Sequence, residues 1–310
     1  MCYPTDLVPF RSILHLSDFS SYSDNGLKWA IAVARAHHAK LSILHVVTPD
    51  AFTYMAPDPP TVTLDNQEEW ARGQMEQLES RLTDVQHETF VVRNDSVWPA
   101  VAAKLAGLRS DLLVLGTHGR TGLGKLFLGS VAETILRHSP IPVMSVGAEV
   151  LPGAQGKFRR VLLATSLRPG ATEPAGYAVA LARRDHAQLF LLHTCKSGTR
   201  TRPSVRPELS VAEALHQLHD LAVTCGNEAP EKRPEAIVEF GDSKTKILEV
   251  ARRTSADLVV VGLGEVRSVL VTTHLEMGTA HTVLAHAGCP VLAVPEHTGR
   301  SLSKPALSLS

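Results

Sequence analysis

The chain repeats itself at an interval of 148 residues, and that repeat constrains the fold more than any other feature of the sequence. Residues 34–45 (ARAHHAKLSILH) and 182–193 (ARRDHAQLFLLH) agree at seven of twelve positions, where unrelated segments would agree at about one. The same interval sets residues 13–18 (ILHLSD) on 161–166 (VLLATS), and Pro142-Val143 on Pro290-Val291. An interval of 146 sets residues 110–116 (SDLLVLG) on 256–262 (ADLVVVG). A single domain holds a unit of this size comfortably, and 310 residues hold two. We expect one domain over residues 1–147 and a second over 157–296. Residues 147–156 read as the linker, and the Ser-rich tail at 297–310 as disordered.

Within each unit, short runs rich in Val, Ile and Leu alternate with amphipathic stretches. In the first the runs are 12–16, 41–47, 88–92, 112–115 and 143–146, with helical patterns at 24–37, 65–82, 98–108 and 130–137. In the second the runs are 160–164, 189–192, 236–239, 258–261 and 291–294, with helical patterns at 173–183, 211–225, 246–252 and 279–285. Apolar runs without polar alternation suit parallel strands buried on both faces. Strand–helix alternation predicts a doubly wound parallel α/β domain, written twice. Residues 49–63 and 196–207, rich in Pro and Ser/Thr, are expected as exposed loops.

Composition removes several classes of partner. Lys plus Arg equals Asp plus Glu, 31 against 31, so there is no general pull toward nucleic acid or anionic lipid. No apolar run reaches the roughly 18 residues of a membrane span, and residues 1–11 lack a signal-peptide core. A cytoplasmic protein is expected. Cys2, Cys195, Cys225 and Cys289 show no CxxC pairing and read as thiols rather than disulfides or a zinc site. His216 and His219 share a helix face, but no third metal ligand follows at a recognised spacing. No GxSxG or HExxH motif is present.

After the fourth run of the first unit comes Gly116-Thr117-His118-Gly119-Arg120, continuing to Gly129-Ser130-Val131, a G-x2-G-x9-G-S skeleton. In an open parallel sheet, ligands bind beyond the carboxyl ends of the strands, where this loop lies. Glycines there let backbone N–H groups approach a polyphosphate, and Gly129-Ser130 opens a helix whose amides favour an anion. The plainer reading is a flexible loop ahead of a helix that Ser130 caps. Residues 119–125 also fit GxxxxGK, but Leu126 stands where a P-loop needs Ser or Thr for magnesium.

Residues 116–146 (GTHGRTGLGKLFLGSVAETILRHSPIPVMSV) resemble the C-terminal signature of universal stress proteins. Ser17-Asp18-Phe19-Ser20 resembles that family's aspartate-containing turn after the first strand, and Leu44-His45-Val46 its second strand. The resemblance is strong over 11–147 and looser over 158–295. It implies two tandem flavodoxin-like, Rossmann-like five-stranded sheets of order 3-2-1-4-5, with ATP, with or without magnesium, held by the first. By position, Asp18 and the backbone of Val46 would contact adenine, and Leu16 and Ser17 would line the nucleoside. Gly116, Thr117, Gly119, Arg120, Gly129, Ser130 and Val131 would surround ribose and phosphates. Asp18 has a second reading, as cap of the following helix, and the two roles are compatible. In that topology the runs at 142–146 and 290–294 are sheet edges, so the two units are expected to pair through them as a pseudo-twofold dimer.

The second unit departs from the pattern. Ser166 replaces Asp18, Arg168 replaces Ser20, and Glu265 replaces Gly119, although Gly262 and Gly278-Thr279 remain. A carboxylate at Glu265 would repel phosphate, so this unit reads as degenerate. The expected function is that of an ATP-binding regulatory protein of the stress response, with an unidentified protein partner and a homodimer as candidate assembly. Slow ATP hydrolysis or phosphoryl transfer at the same loop, and a nucleotide-free scaffold, are the competing readings.

Overall fold

The structure, a computed structural model, describes residues 10–49, 64–82, 84–116, 129–147, 150, 156–195, 209–226, 232–264 and 278–296. The tail, the loop at 196–207 and nearly all of the loop at 49–63 lie outside them. The first copy runs β1 (Ser12–Leu16), α1 (Ser21–His37), β2 (Lys40–Val47), α2 (Leu64–Glu79), β3 (His87–Arg93), α3 (Val97–Leu108), β4 (Leu112–Gly116), α4 (Ser130–His138) and β5 (Val143–Val146). The second runs β6 (Arg160–Ala164), α5 (Thr172–Asp185), β7 (Gln188–Cys195), α6 (Val211–Cys225), β8 (Glu235–Phe240), α7 (Ser243–Arg253), β9 (Leu258–Leu263), α8 (Thr279–His286) and β10 (Val291–Pro295). Every expected strand and helix is there. Helices α1 and α7 start three residues ahead of the apolar pattern, because their first turns are polar and set by caps. Ser20 and Asp242 accept the amides of Ser23 and Thr245.

All ten strands join one sheet, ordered β3-β2-β1-β4-β5-β10-β9-β6-β7-β8. Each half has the 3-2-1-4-5 order, and every pairing is parallel except the central one. There β5 and β10 run antiparallel, with Val291 opposite Ser145, Leu292 opposite Met144 and Ala293 opposite Val143. Strands β4 and β9 are buried from both sides, as their unbroken Leu and Val runs require. Leu27, Met75, Ala178 and Leu218 set α1, α2, α5 and α6 on one face of the sheet. Val101, Ile135, Val250 and Leu284 set α3, α4, α7 and α8 on the other. Among the described residues, no helix is long and apolar enough to cross a membrane.

The repeated ARxxHA segment closes the first helix of each copy. His38 and His186 adopt left-handed backbone (φ 53° and 54°), and the next amide returns to the carbonyl five residues back, Ala39 to Ala34 and Ala187 to Ala182. The seam between copies keeps the same symmetry. Phe10 stacks on Tyr177 at 6.2 Å, and Phe158, its counterpart, stacks on Trp29 at 5.8 Å. The Phe10 amide donates to His37 Nδ1, and the Phe158 amide to Asp185 Oδ2, both at 2.9 Å. Symmetry ends at Arg184, which donates to the Ala36 carbonyl and faces His37 Nε2. Of the expected linker, Val150 accepts the Trp29 indole N–H at 2.9 Å. Gly156 (φ 61°) touches α1 so closely that a Cβ there would lie 2.2 Å from the Ala32 carbonyl oxygen.

Two buried histidines oppose their own protonation. His15, on β1 beneath α1, pairs Nδ1 with the Val114 carbonyl at 3.1 Å, while its Nε2 has no partner among the described residues. Burial pulls its pKa down from 6.5 to about 4. Burial, then the Arg184 charge, pulls that of His37 down to about 3. Both values lie below those of the unfolded chain, so the unfolded state binds more protons between pH 6.5 and about 4. Folding stability therefore falls as pH falls through that window, by up to about 1.4 kcal/mol per pH unit for each histidine. Leu163, fully buried in the second copy, stands where His15 stands in the first. Denaturant midpoints measured from pH 7 to pH 5 should fall less steeply in His15→Leu than in the parent chain.

Candidate functional site

The carboxyl ends of β1, β2 and β4 meet at the point where the strand order reverses, the position at which such sheets place a ligand crevice. The structure brings Leu16, Ser17, Asp18, Val46 and Gly116 to this edge. The register sets Leu16 beside Leu44, two residues before Val46, and the Ser17 amide donates to the Leu44 carbonyl at 2.9 Å. Leu16 and Val46 are half-buried on the α3–α4 face. Gly116 ends β4, pairing with Val146, and supports the start of α1: a Cβ on it would lie 2.5 Å from the Tyr22 carbonyl oxygen. Thr117, Gly119 and Arg120 lie outside the described residues.

A serine relay fixes the β1–α1 turn. Asp18 Oδ1 accepts the Ser20 amide at 3.0 Å and the Ser20 hydroxyl at 2.6 Å. The Ser20 hydroxyl oxygen in turn accepts the Ser23 amide at 3.2 Å. Ser17 Oγ accepts the Phe19 amide at 3.2 Å, which holds Phe19 at φ 60°. The cap of α1 is therefore Ser20 and not Asp18, which corrects the second reading of Asp18. The carboxylate orients the capping hydroxyl instead. A two-residue Asx turn does this, and the S-D-F-S spacing carried that signal. Behind it, His45 Nδ1 pairs with the Ser17 carbonyl at 2.8 Å, and its ring lies 4.5 Å from that of Phe19. His193 repeats the bond to Thr165 at 3.0 Å, so both strand-end histidines are structural.

Gly129, Ser130 and Val131 open α4 at the same edge. Gly129 occupies the N-cap position (φ −60°, ψ 149°), and among the described residues no side-chain bond caps the helix. The expectation that Ser130 caps α4 is therefore corrected: Ser130 is the first helical residue, past the capping position. An N-terminus without a side-chain cap leaves first-turn amides directed at the crevice, where they favour an anion. A cavity of about 400 Å³ opens on the α2 side of the β1–α1 turn, lined by Ser17, Phe19, Ser20, Asp24, Gln77 and Arg81. Of the carried-over residues Ser17 alone lines it, so it is distinct from the crevice.

Comparison with known proteins fits this geometry. The model of the universal stress protein family matches the chain twice, over residues 9–147 and 157–295. The chain belongs to the universal stress protein family. A universal stress protein of Mycolicibacterium smegmatis is 28% identical over 180 residues, which span 57% of this chain and 61% of that one. One from Thermus aquaticus is 32% identical over 143 residues, 44% of this chain and 98% of that one. Among solved structures, a universal stress protein of Archaeoglobus fulgidus superposes with TM-score 0.68 at 18% identity, covering 92% of this chain and 98% of that one. A Pseudomonas aeruginosa protein of unknown function superposes with TM-score 0.58, also at 18% identity, covering 93% of each chain.

The two universal stress protein copies differ where the first helix begins. Arg168 stands at the Ser20 position and provides no capping oxygen, so α5 starts at Thr172, the counterpart of Asp24. No side chain caps α5, and Pro169 to Ala171 form a turn where α1 has already begun. Glu265 lies outside the described residues. The same loss can be imposed on the first copy. Ser20→Ala should lower stability by about 1 kcal/mol and release the Ser23 amide, which amide hydrogen exchange would register as faster exchange there.

Proposed function

We propose that the N-terminal copy binds ATP, with or without magnesium, and that the chain acts as a nucleotide-responsive regulatory protein of the stress response. The observation that carries this reading is one crevice with two complementary ends. Asp18 supplies a carboxylate, held in place by Ser20, that can accept an adenine amine. Across the same sheet edge, α4 begins at Gly129, which carries no capping side chain of its own, and first-turn amides of a helix start serve as donors for phosphate oxygens. These residues suit the nucleotide by charge and by donor set: an acceptor where the base has donors, and donors where the ligand is anionic. Membership of the family is consistent with this assignment. Leu16, Ser17 and Val46 would flank the nucleoside, while Gly116, Thr117, Gly119, Arg120, Ser130 and Val131 would enclose ribose and phosphates. A cytoplasmic location and a protein partner that reads the bound state belong to the same proposal.

Gly129→Asp is the discriminating variant. Its backbone accepts an aspartate at a position where that residue caps helices well, yet the new carboxylate would stand where phosphate binds. Calorimetric titration with magnesium and ATP should give one site per chain in the parent, and affinity reduced at least about a hundredfold in the variant. At a hundredfold excess over Kd, ATP should stabilise the parent by about 2.7 kcal/mol. A folded parent that binds no ATP, or a variant that binds it unchanged, would remove the nucleotide from the function.

A further inference from the structure

Among the described residues, six other than glycine adopt left-handed backbone. His38, Arg109, His186 and Ser255 lie at helix ends, where such a residue turns the chain away. Phe19 (φ 60°) and Leu167 (φ 55°) do not: they occupy the β1–α1 turn and its counterpart after β6. A bulky side chain rarely takes this conformation, which persists only where surrounding contacts over-determine it. Strain of this kind concentrates at ligand clamps.

At Phe19 the contacts come from three elements. Its amide donates to Ser17 Oγ at 3.2 Å. Its ring lies 4.5 Å from that of His45 on β2 and meets Trp70 of α2 edge-on, at 5.6 Å and 88°. Asp18 therefore sits between two pinned peptide groups. His45 Nδ1 holds the Ser17 carbonyl at 2.8 Å on one side, and the Phe19 amide is held on the other. The Ser20 amide and hydroxyl then aim the Asp18 carboxylate.

The second copy separates the bend from the stack of rings. There the Leu167 amide donates to Thr165 Oγ1 at 3.1 Å, and His193 Nδ1 holds the Thr165 carbonyl at 3.0 Å. The bend thus survives with leucine. Gln67, Ala71 and Met75, buried on α2, match Ala214, Leu218 and Ala222, buried on α6, at a constant interval of 147. That interval sets Gln217 at the place of Trp70. The copy with Ser166 at the tip of the turn lacks both aromatic rings, and the copy with Asp18 has them.

We propose that Phe19 is a positioning residue for nucleotide recognition: its side chain, packed between His45 and Trp70, holds the strained turn that presents Asp18 to the base. The proposal rests on the ATP reading above. Phe19 faces the α2 side of the turn, lining the cavity there, so it acts on the base through Asp18 and not by contact. Its loss should remove the part of the affinity due to the base and leave the part due to the phosphates.

The test compares the full chain with its Phe19→Ala and Phe19→Leu variants, titrated by calorimetry with ATP and with inorganic tripolyphosphate, which has no base. Exchange of the Ser20 amide is followed in the ligand-free proteins. Phe19→Ala should bind ATP about tenfold more weakly and tripolyphosphate as before, with Ser20 exchanging at least about tenfold faster. Phe19→Leu should recover most of both, as Leu167 holds the same bend. If the alanine variant does not fold, Trp70→Gln serves instead. Trp70 is 48% exposed, and its loss should shift ATP affinity and Ser20 exchange in the same direction by less. Unchanged Ser20 protection in a folded Phe19→Ala chain, or equal weakening of ATP and tripolyphosphate, would overturn the proposal. A parent that binds no ATP refutes the nucleotide reading on its own. The ligand-free exchange at Ser20 then still decides whether Phe19 holds Asp18.

Discussion

The antiparallel join of β5 to β10 is the contact on which the rest of the molecule depends. Each five-stranded sheet ends in a short strand whose outer edge would otherwise expose unpaired amides and carbonyls, a template for aggregation. Three residue pairs across the join turn two vulnerable edges into the middle of one ten-stranded sheet. Because the join is antiparallel, each face keeps one kind of helix, α1, α2, α5 and α6 on one side and the remaining four on the other. The aromatic seam of Phe10 with Tyr177 and Trp29 with Phe158 follows, since the join brings α1 beside α5.

Within that frame a single hydroxyl distinguishes the copies. Ser20 caps α1, Asp18 orients the cap, and the helix starts tight against Gly116. Where Arg168 replaces the serine, the helix recedes by one turn and a gap opens over Gly262. Glu296, the residue after the neighbouring strand β10, fills it. A local capping change thereby becomes a rearrangement between elements distant in sequence, which is how small differences at a helix start reshape a ligand crevice.

Most of the fold was legible in the sequence. The repeat, the apolar runs and the strand–helix alternation each reflect burial on both faces, a requirement imposed residue by residue. The starts of α1 and α7 were not, because their caps and polar first turns leave no apolar periodicity to read. At the site, the glycines and Asp18 stood out by residue type, but the capping role passed to Ser20, which only the folded turn reveals. Loss of the pattern in the second copy was also legible, through Ser166 and Arg168. Glu265, inside the loop, lies outside the described residues. Glu296 carried no motif, since its position depends on β10 lying beside β9, a matter of topology and not of spacing. His15 was likewise invisible: one histidine in an apolar strand, its setting fixed by the Val114 carbonyl and by Gly26 of α1, where an added Cβ would lie 3.1 Å from the ring.

The pseudo-twofold seam has a consequence for how such a chain can change over time. In a dimer of identical subunits every substitution at the interface occurs twice, so an advantageous contact on one side is imposed on the other. Covalent linkage lifts that coupling. Arg184 faces His37 and Ala36, whereas the symmetry-related place holds Ala36 opposite Asp185, a pairing that two identical halves could not hold on one side alone. The partners are also always present in equal number and never dissociate on dilution. One half is thus free to drift while the other keeps its chemistry, and the crevices, at opposite edges of one slab, are free to diverge.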